Sequence, residues 1–280
     1  GLFFANVIAA HPLQFWLEGC EAPTVRGTVI SFRLKPGAKP VARQPIPMSP
    51  FDELRTEYHL EEWGGQGKAR KIDTSKEPLP VWSTPVFVVD QDAKGLLGRL
   101  VCAYGPVNKN LEITTFPSTG PDAAFRAAAG KEQHTLIDAI WGYTQFLVDE
   151  KTSRVLTVCA KSGLYRILRM PFGPAPAPPE MRSYVARTFG SIVDPDTKEP
   201  VCIPLMDDLT ISSDSFEKHV QHVNMVLEEA AKVGFEFKLT KGQFNQPEVE
   251  VWGCICDKTG RRPKPCLLYT SDAADDRSWV

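Results

Sequence analysis

The sequence has almost no excess charge of either sign: 32 Lys and Arg stand against 34 Asp and Glu, a formal net charge of −2. That excludes a small basic clamp gripping nucleic acid by overall charge, so any polyanion would be held by local patches. No apolar run approaches the ~18 residues of a membrane span, and no membrane partner is expected. Gly1-Leu2-Phe3-Phe4-Ala5-Asn6 lacks the basic flank of a signal peptide. The 7 cysteines are odd in number and irregularly spaced, which argues against a disulfide framework. Reduced thiols in a cytosolic-type compartment are expected instead. No internal repeat is visible.

What is present suits a globular chain. Its 280 residues suffice for one large domain or two modest ones, with 42% hydrophobic and 24% charged residues. Proline is abundant at 24 residues, so loops and short elements are expected. Charge is unevenly spread. Residues 201–250 hold 4 Lys/Arg against 9 Asp/Glu, and residues 151–173 hold 5 (Lys151, Arg154, Lys161, Arg166, Arg169) against none. An acidic cluster for cations beside a basic strip for polyanions suits phosphate chemistry; two solvated faces are the plain alternative.

Hydrophobic periodicity predicts a helix over Phe51–Trp63, ended by Gly64-Gly65-Gln66-Gly67. Pro85–Val89 and Arg99–Tyr104 read as partner strands joined by an Asp90–Gly98 loop. Thr135–Ile140 and Val155–Cys159 read as further strands, and Pro178–Phe189 as a helix. Val201–Leu205 and Leu209–Ser212 flank a tight turn. Asp214–Val233 is an amphipathic helix with Asp214 and Glu217 in a capping-box pattern. Glu248–Cys256 alternates as one strand. Helices mixed with antiparallel hairpins, without a repeating unit, predict an α+β fold.

The chemistry concentrates in Pro204-Leu205-Met206-Asp207-Asp208-Leu209-Thr210-Ile211. Adjacent acids repel, and flanking strands gain nothing from them. A hairpin turn tolerates one Asp for conformation alone. Two, wrapped in Leu and Met, suggest a hard divalent cation such as Mg²⁺. Asp138, ending the apolar run Thr135-Leu136-Ile137, is a second costly acid unless paired or metal-bound. If these strands are neighbours, Asp138 and Asp207 face one site. Three carboxylates can hold two ions ~3.5–4 Å apart, the arrangement of phosphoryl transfer.

Blocks along residues 28–265 then resemble, in order, the reverse transcriptase domain of gypsy-type LTR retrotransposons and, more distantly, of retroviruses. Leu34–Pro40 resembles the leading segment, Trp82-Ser83-Thr84-Pro85-Val86 the first fingers strand, and Arg99 to Asn108-Lys109 the next strand and its turn. Asp138 with Gly142-Tyr143 and Gln145 resembles the first catalytic motif. Gly163-Leu164-Tyr165 and Met170-Pro171-Phe172-Gly173 resemble the following block. Leu205-Met206-Asp207-Asp208 resembles the Tyr-x-Asp-Asp motif; Lys241 with Phe244, then Trp252-Gly253, resemble the last two palm motifs. The chain departs from the family at Leu205 (Tyr), at Ala103 and Gly105 (Asp and Arg), and in the run Pro174-Ala175-Pro176-Ala177-Pro178.

The resemblance implies fingers and palm of a right-handed polymerase, with an antiparallel palm sheet packed on helices. Residues 1–40 would be a leading segment and linker. Residues 41–256 would be fingers (about 41–111 and 147–175) and palm (about 112–146 and 176–256), and 257–265 the start of a thumb. It implies RNA-directed DNA polymerisation with dNTPs on an RNA or DNA primer–template, using two Mg²⁺ (or Mn²⁺). Asp138 and Asp207 would be metal ligands, supported by Asp208. Ala139 would offer its carbonyl near the metal, and Tyr143 would be a steric gate against a ribose 2′-OH. Arg99, and more loosely Lys94, would contact the triphosphate. Lys241 would protonate departing pyrophosphate. Gln145 and Met170, Pro171, Phe172 and Gly173 would line the templating pocket, with Met206, Trp252 and Gly253 along the primer–template.

His219 and His222 form an HxxH with no third ligand in view and read as structural. Cys254 and Cys256 lack a second pair for zinc. Residues 266–280 continue no family pattern and resemble a translated transposase-type sequencing adapter, so a non-native tail on a piece of a polyprotein is expected. The remaining thumb, RNase H and integrase of such a polyprotein would be partners, in the cytoplasm within a virus-like particle or in the nucleus. Two other readings stay open: a catalytically inactive nucleic-acid-binding remnant, and a generic metal-dependent phosphotransferase.

Overall fold

The computed structural model describes residues 3–17, 20–114, 120–205 and 208–264. In chain order the elements are β1 (Val29–Ile30), α1 (Pro50–Gly65), β2 (Ala69–Lys71), β3 (Thr84–Val89), β4 (Arg99–Cys102), α2 (Gly105–Asn108) and α3 (Pro121–Ala128). Then come β5 (Gln133–Asp138), β6 (Leu147–Val148), α4 (Glu150–Val155), β7 (Val158–Ala160), β8 (Gly163–Ile167), α5 (Ala177–Thr188) and β9 (Cys202–Leu205). The last are β10 (Asp208–Ser213), α6 (Phe216–Val233), β11 (Gln243–Gln246), β12 (Glu248–Val251), β13 (Cys254–Asp257) and β14 (Gly260–Pro263). The mixture is α+β, as the sequence predicts. No helix among the described residues is long and apolar enough to cross a membrane.

The chain divides into two compact units. The first, here the carboxylate unit, takes residues 1–18, 117–140 and 182–280; the second, the cavity unit, takes 19–116 and 141–181.

The carboxylate unit is built on an antiparallel sheet ordered β11-β5-β10-β9, with a second sheet β12-β13-β14. Helix α6 covers the first sheet with His219, His222, Val223, Val226, Leu227 and Ala230 buried. Its cap differs from the expected capping box: Ser215, in extended conformation, accepts from the Lys218 N–H at 3.3 Å. Asp214 instead pairs with Lys131 at 2.9 Å. The predicted strand over Glu248–Cys256 is a hairpin. Trp252 and Gly253 both take positive φ, 49° and 73°, the requirement of a two-residue primed turn. A turn carrying Trp hides in an alternating pattern because Trp is itself a strand former. Residues 260–263, assigned by sequence to a thumb, pair with β13 as β14.

The cavity unit holds a five-stranded sheet ordered β2-β8-β7-β3-β4. β3 and β4 pair antiparallel, with Val89 opposite Arg99. Helix α1 begins after Ser49, whose Oγ accepts from the Asp52 N–H at 3.1 Å, with Pro50 at the first helical position. Val155 ends a short helix rather than starting a strand, because Asp149 caps α4 by accepting from the Thr152 N–H at 2.7 Å. The strand therefore starts later, at Val158.

Candidate active site

Three local features hold Asp138 in the carboxylate unit. It ends β5, whose Thr135 and Ile137 are buried. Its carbonyl accepts from the Lys238 N–H at 2.8 Å, and the next carbonyl strap closes with Ile140 N–H on Glu236 at 3.2 Å. Phe235 and Phe237, both in that strap, pack with Phe189 in a buried trio whose ring centroids lie 5.4–6.1 Å apart. Ala139, 7% exposed, bridges Phe237 through its backbone. The strap thus fixes the strand end that carries the acid.

Register brings the second acid in. Asp208 starts β10 and stands directly opposite Asp138, with Leu209 opposite Ile137 and Thr210 opposite Leu136. Directly opposed residues share a sheet face, with Cβ atoms about 4.5–5.5 Å apart, and like charges there are destabilising. Lys241 answers part of that charge: its Nζ lies 3.1 Å from Asp138 Oδ2, with the carboxylate side chain 24% exposed. Asp207 and Met206 lie outside the described residues. Among the described residues no group of three His, Cys, Asp or Glu forms a metal cage. Trp252, 48% exposed, and Gly253 form the turn between β12 and β13.

The cavity unit contains a cavity of about 460 Å³ lined by Trp63, Lys68, Arg99, Arg169, Phe172 and Gly173, among others. The Arg99 guanidinium stands 4.5 Å from the Phe172 ring centroid, and the Tyr143 ring meets Phe172 edge-on at 4.6 Å. Pro171 also lines this space. Gly173 has φ 107°, and a Cβ there would lie 3.3 Å from the Tyr104 ring. Asn108 pins the loop from both sides, donating to the Gly173 carbonyl at 3.0 Å and accepting from the Ala175 N–H at 2.8 Å.

Not every expected residue reaches this cavity. Met170 and Gln145 are fully buried and are not among the residues lining it. The side chain of Lys94 lies outside what is described. The basic strip is largely spent internally: Arg154 pairs with Glu150, Lys161 with Glu53 at 2.7 Å, and Arg166 donates to Thr157 at 2.9 Å. Arg169 donates to the carbonyls of Pro23 and Thr144 and to Thr24 Oγ1, and burial lowers its pKa. Lys68, 3.8 Å from the Trp141 ring centroid, is a cavity residue that no sequence pattern announced. Asn108 was visible only as part of a turn.

Residues 125–256, with the opposed acids and the Trp252 turn, match the family described as reverse transcriptase (RNA-dependent DNA polymerase). That stretch of the chain is similar to reverse transcriptase domains. It is 27% identical over 229 residues to the retrovirus-related Pol polyprotein from transposon 297 of Drosophila melanogaster, covering 81% of this chain and 21% of that protein. It is 23% identical over 240 residues to the enzymatic polyprotein of cauliflower mosaic virus, strain D/H, covering 85% of this chain and 34% of that protein. The chain thus spans about a third or less of these relatives. Its fold matches that of a foamy viral protease-reverse transcriptase in complex with RNA/DNA hybrid, with TM-score 0.78 at 14% identity, over 98% of this chain and 34% of that one. The complex of the foamy viral enzyme with dsDNA matches at TM-score 0.77 and 15% identity, over 99% and 54%. The polymerase-like α+β fold expected from sequence is therefore the observed one.

Proposed function

We propose that this reverse transcriptase domain is the polymerising part of a gypsy-type LTR retroelement polyprotein, adding dNTPs to a primer 3′ end on an RNA or DNA template. The observation that carries the reading is the register of Asp208 opposite Asp138. Two carboxylates held face to face by a sheet repel one another, and the Lys241 ammonium stands against Asp138. They offer only hard oxygen donors, the set that Mg²⁺ prefers and Mn²⁺ accepts. Asp138 and Asp208, with Asp207 beside them in sequence, would hold two such ions. Bound there, the ions would supply charge neutralisation to the attacking and leaving oxygens.

The chain's own residues do the rest by positioning and charge. Lys241, tethered to Asp138, is a proton donor for departing pyrophosphate. Arg99 presents a planar fork of donors to phosphate oxygens, steadied by its stack on Phe172. Tyr143, against the same Phe172, is the gate to a ribose 2′-OH. Pro171, Phe172 and Gly173 contact template, and Trp252 with Gly253 the primer. In this reading the cavity unit corresponds to fingers and the carboxylate unit to palm, and the protein works in the cytoplasm beside the RNase H and integrase of its polyprotein.

The deciding experiment is single-nucleotide primer extension on an RNA template with Mg²⁺, comparing the chain with Asp138→Asn and dNTPs with rNTPs. Incorporation of dNTPs that the variant loses supports the reading. Incorporation that survives in Asp138→Asn sinks it, and none in either protein favours a nucleic-acid-binding remnant.

A further inference from the structure

The carboxylate unit holds a run of buried polar side chains that the acids do not use. The Asn245 backbone N–H donates to Thr135 Oγ1 at 3.1 Å. Thr135 Oγ1 meets His219 Nε2 at 2.7 Å, and His219 Nδ1 meets Ser213 Oγ at 2.9 Å. Ser213 Oγ meets His222 Nδ1 at 2.8 Å, and His222 Nε2 meets Asp194 Oδ2 at 2.8 Å. All five side chains are buried, Thr135 and His219 completely.

The two ends fix the direction of every bond between them. An amide N–H only donates. Asp194 only accepts: the Thr197 amide, His222, the Asp196 amide and the Lys218 ammonium all donate to it and hold its carboxyl far below the usual range. Among the described residues neither hydroxyl has another acceptor within reach. Thr135, having accepted from Asn245, gives its proton to His219 Nε2. His219 therefore carries its own proton on Nδ1 and donates it to Ser213. Ser213 passes its proton to His222 Nδ1, and His222 donates from Nε2 to Asp194. Every proton along the run then has an acceptor, and each imidazole carries a single proton. Burial, which presses the His219 pKa down to about 3, agrees with that charge state.

Asp194, His222 and Ser213 are the residue types of a hydrolase triad. Ser213 is 1% exposed and held by two imidazoles, so it presents no nucleophile. The run has a mechanical role instead. It links β11, β5, α6 and β10, and its Thr135 lies on β5 three residues before Asp138. Reversing any one link would set two protons or two lone pairs against each other in a buried site.

We propose that Thr135 is a positioning residue for nucleotide addition, the link through which this one-way hydrogen-bond run fixes β5, and with it Asp138, against α6. The proposal rests on the polymerase reading above. Its test has two arms. Two-bond ¹⁵N–¹H correlation of the full chain, labelled in histidine, should show His219 protonated at Nδ1 and His222 at Nε2; the opposite tautomer at either residue overturns the proposal. In single-nucleotide incorporation, Thr135→Val keeps the shape but removes the hydroxyl. It should lower kcat about tenfold at unchanged KM for the dNTP. Thr135→Ser should restore most of the rate. Equal losses in Val and Ser, or a rise in KM alone, overturn it. A chain that incorporates nothing in any form overturns the polymerase reading, while the tautomer pattern still decides the hydrogen-bond run itself.

Discussion

The two units hold their chemistry in different ways. In the carboxylate unit the acids stand at strand ends whose register, strap and buried hydrogen bonds leave them one position. In the cavity unit Arg99 starts a strand and Tyr143 sits on a single 3₁₀ turn, but Phe172 and Gly173 sit on irregular backbone held by Asn108 and neighbouring rings. One unit is over-determined and charged. The other is shaped by a few close contacts. The first should therefore fail when charge is changed, the second when shape is changed.

The largest expected effect tests the charge side. Asp138→Asn should reduce nucleotide incorporation by at least about a hundredfold, on the order of losing one preorganised electrostatic group. Thermal stability should hold or rise, because the substitution removes a like-charge pair opposite Asp208 even as it weakens the tie to Lys241. Loss of activity together with a large fall in Tm would make Asp138 a folding residue and erase the contrast.

Acid should next separate the units. His219 is held neutral down to about pH 3 by burial, against an ordinary value of 6.5. His134, also buried, shifts the same way. Between those pH values the unfolded chain binds a proton that the folded chain does not, so stability falls as pH is lowered below 6.5. The loss is about 1.4 kcal/mol per pH unit for His219, and His134 adds to it in the same direction. Asp194, whose pKa is also depressed, adds a loss of the same sign only below its ordinary 3.8. Hydrogen exchange at pH 5 should therefore quicken in β5 and β10 before β3 and β7, and His219→Gln should flatten the pH dependence of the urea midpoint. Equal loss of protection in both units would break the comparison.

Sequence reasoning reached the carboxylate unit better than the cavity unit for a physical reason. Asp138 ends one apolar strand and Asp208 begins another, and a costly residue at the end of a regular apolar run is visible from pattern alone. The helix over residues 216–233 was visible through its 3.6-residue repeat. The hairpin at Trp252–Gly253 was not, because its turn residue is a strand former. Lys68 and Asn108 escaped because their roles arise from contacts with Trp141, Gly173 and Ala175, which are distant in sequence. Met170 and Gln145 were placed in the templating pocket by resemblance alone, and both are fully buried. The run from Asn245 to Asp194 left only the HxxH spacing as a trace, read as structural.

The shape side is tested by Gly173→Ala. It forces a Cβ onto a residue at φ 107° and to 3.3 Å from the Tyr104 ring. The expected cost is about 1–3 kcal/mol, read from urea unfolding. An unchanged midpoint would show that the loop relaxes freely and that Asn108 does not hold it.

The smallest effect sharpens the comparison most. Arg99→Lys keeps the charge and removes the planar fork and much of the stacking on Phe172. If the cavity unit works by shape, preserving charge will not preserve binding. KM for the dNTP should then rise about tenfold, the ~1.4 kcal/mol of a lost charge-assisted contact, with kcat little changed. The reverse pattern, a fall in kcat at constant KM, would mean that Arg99 acts on charge developing in the transition state. That outcome would place it with Asp138 in the electrostatic class, and the division of labour between the two units would not hold.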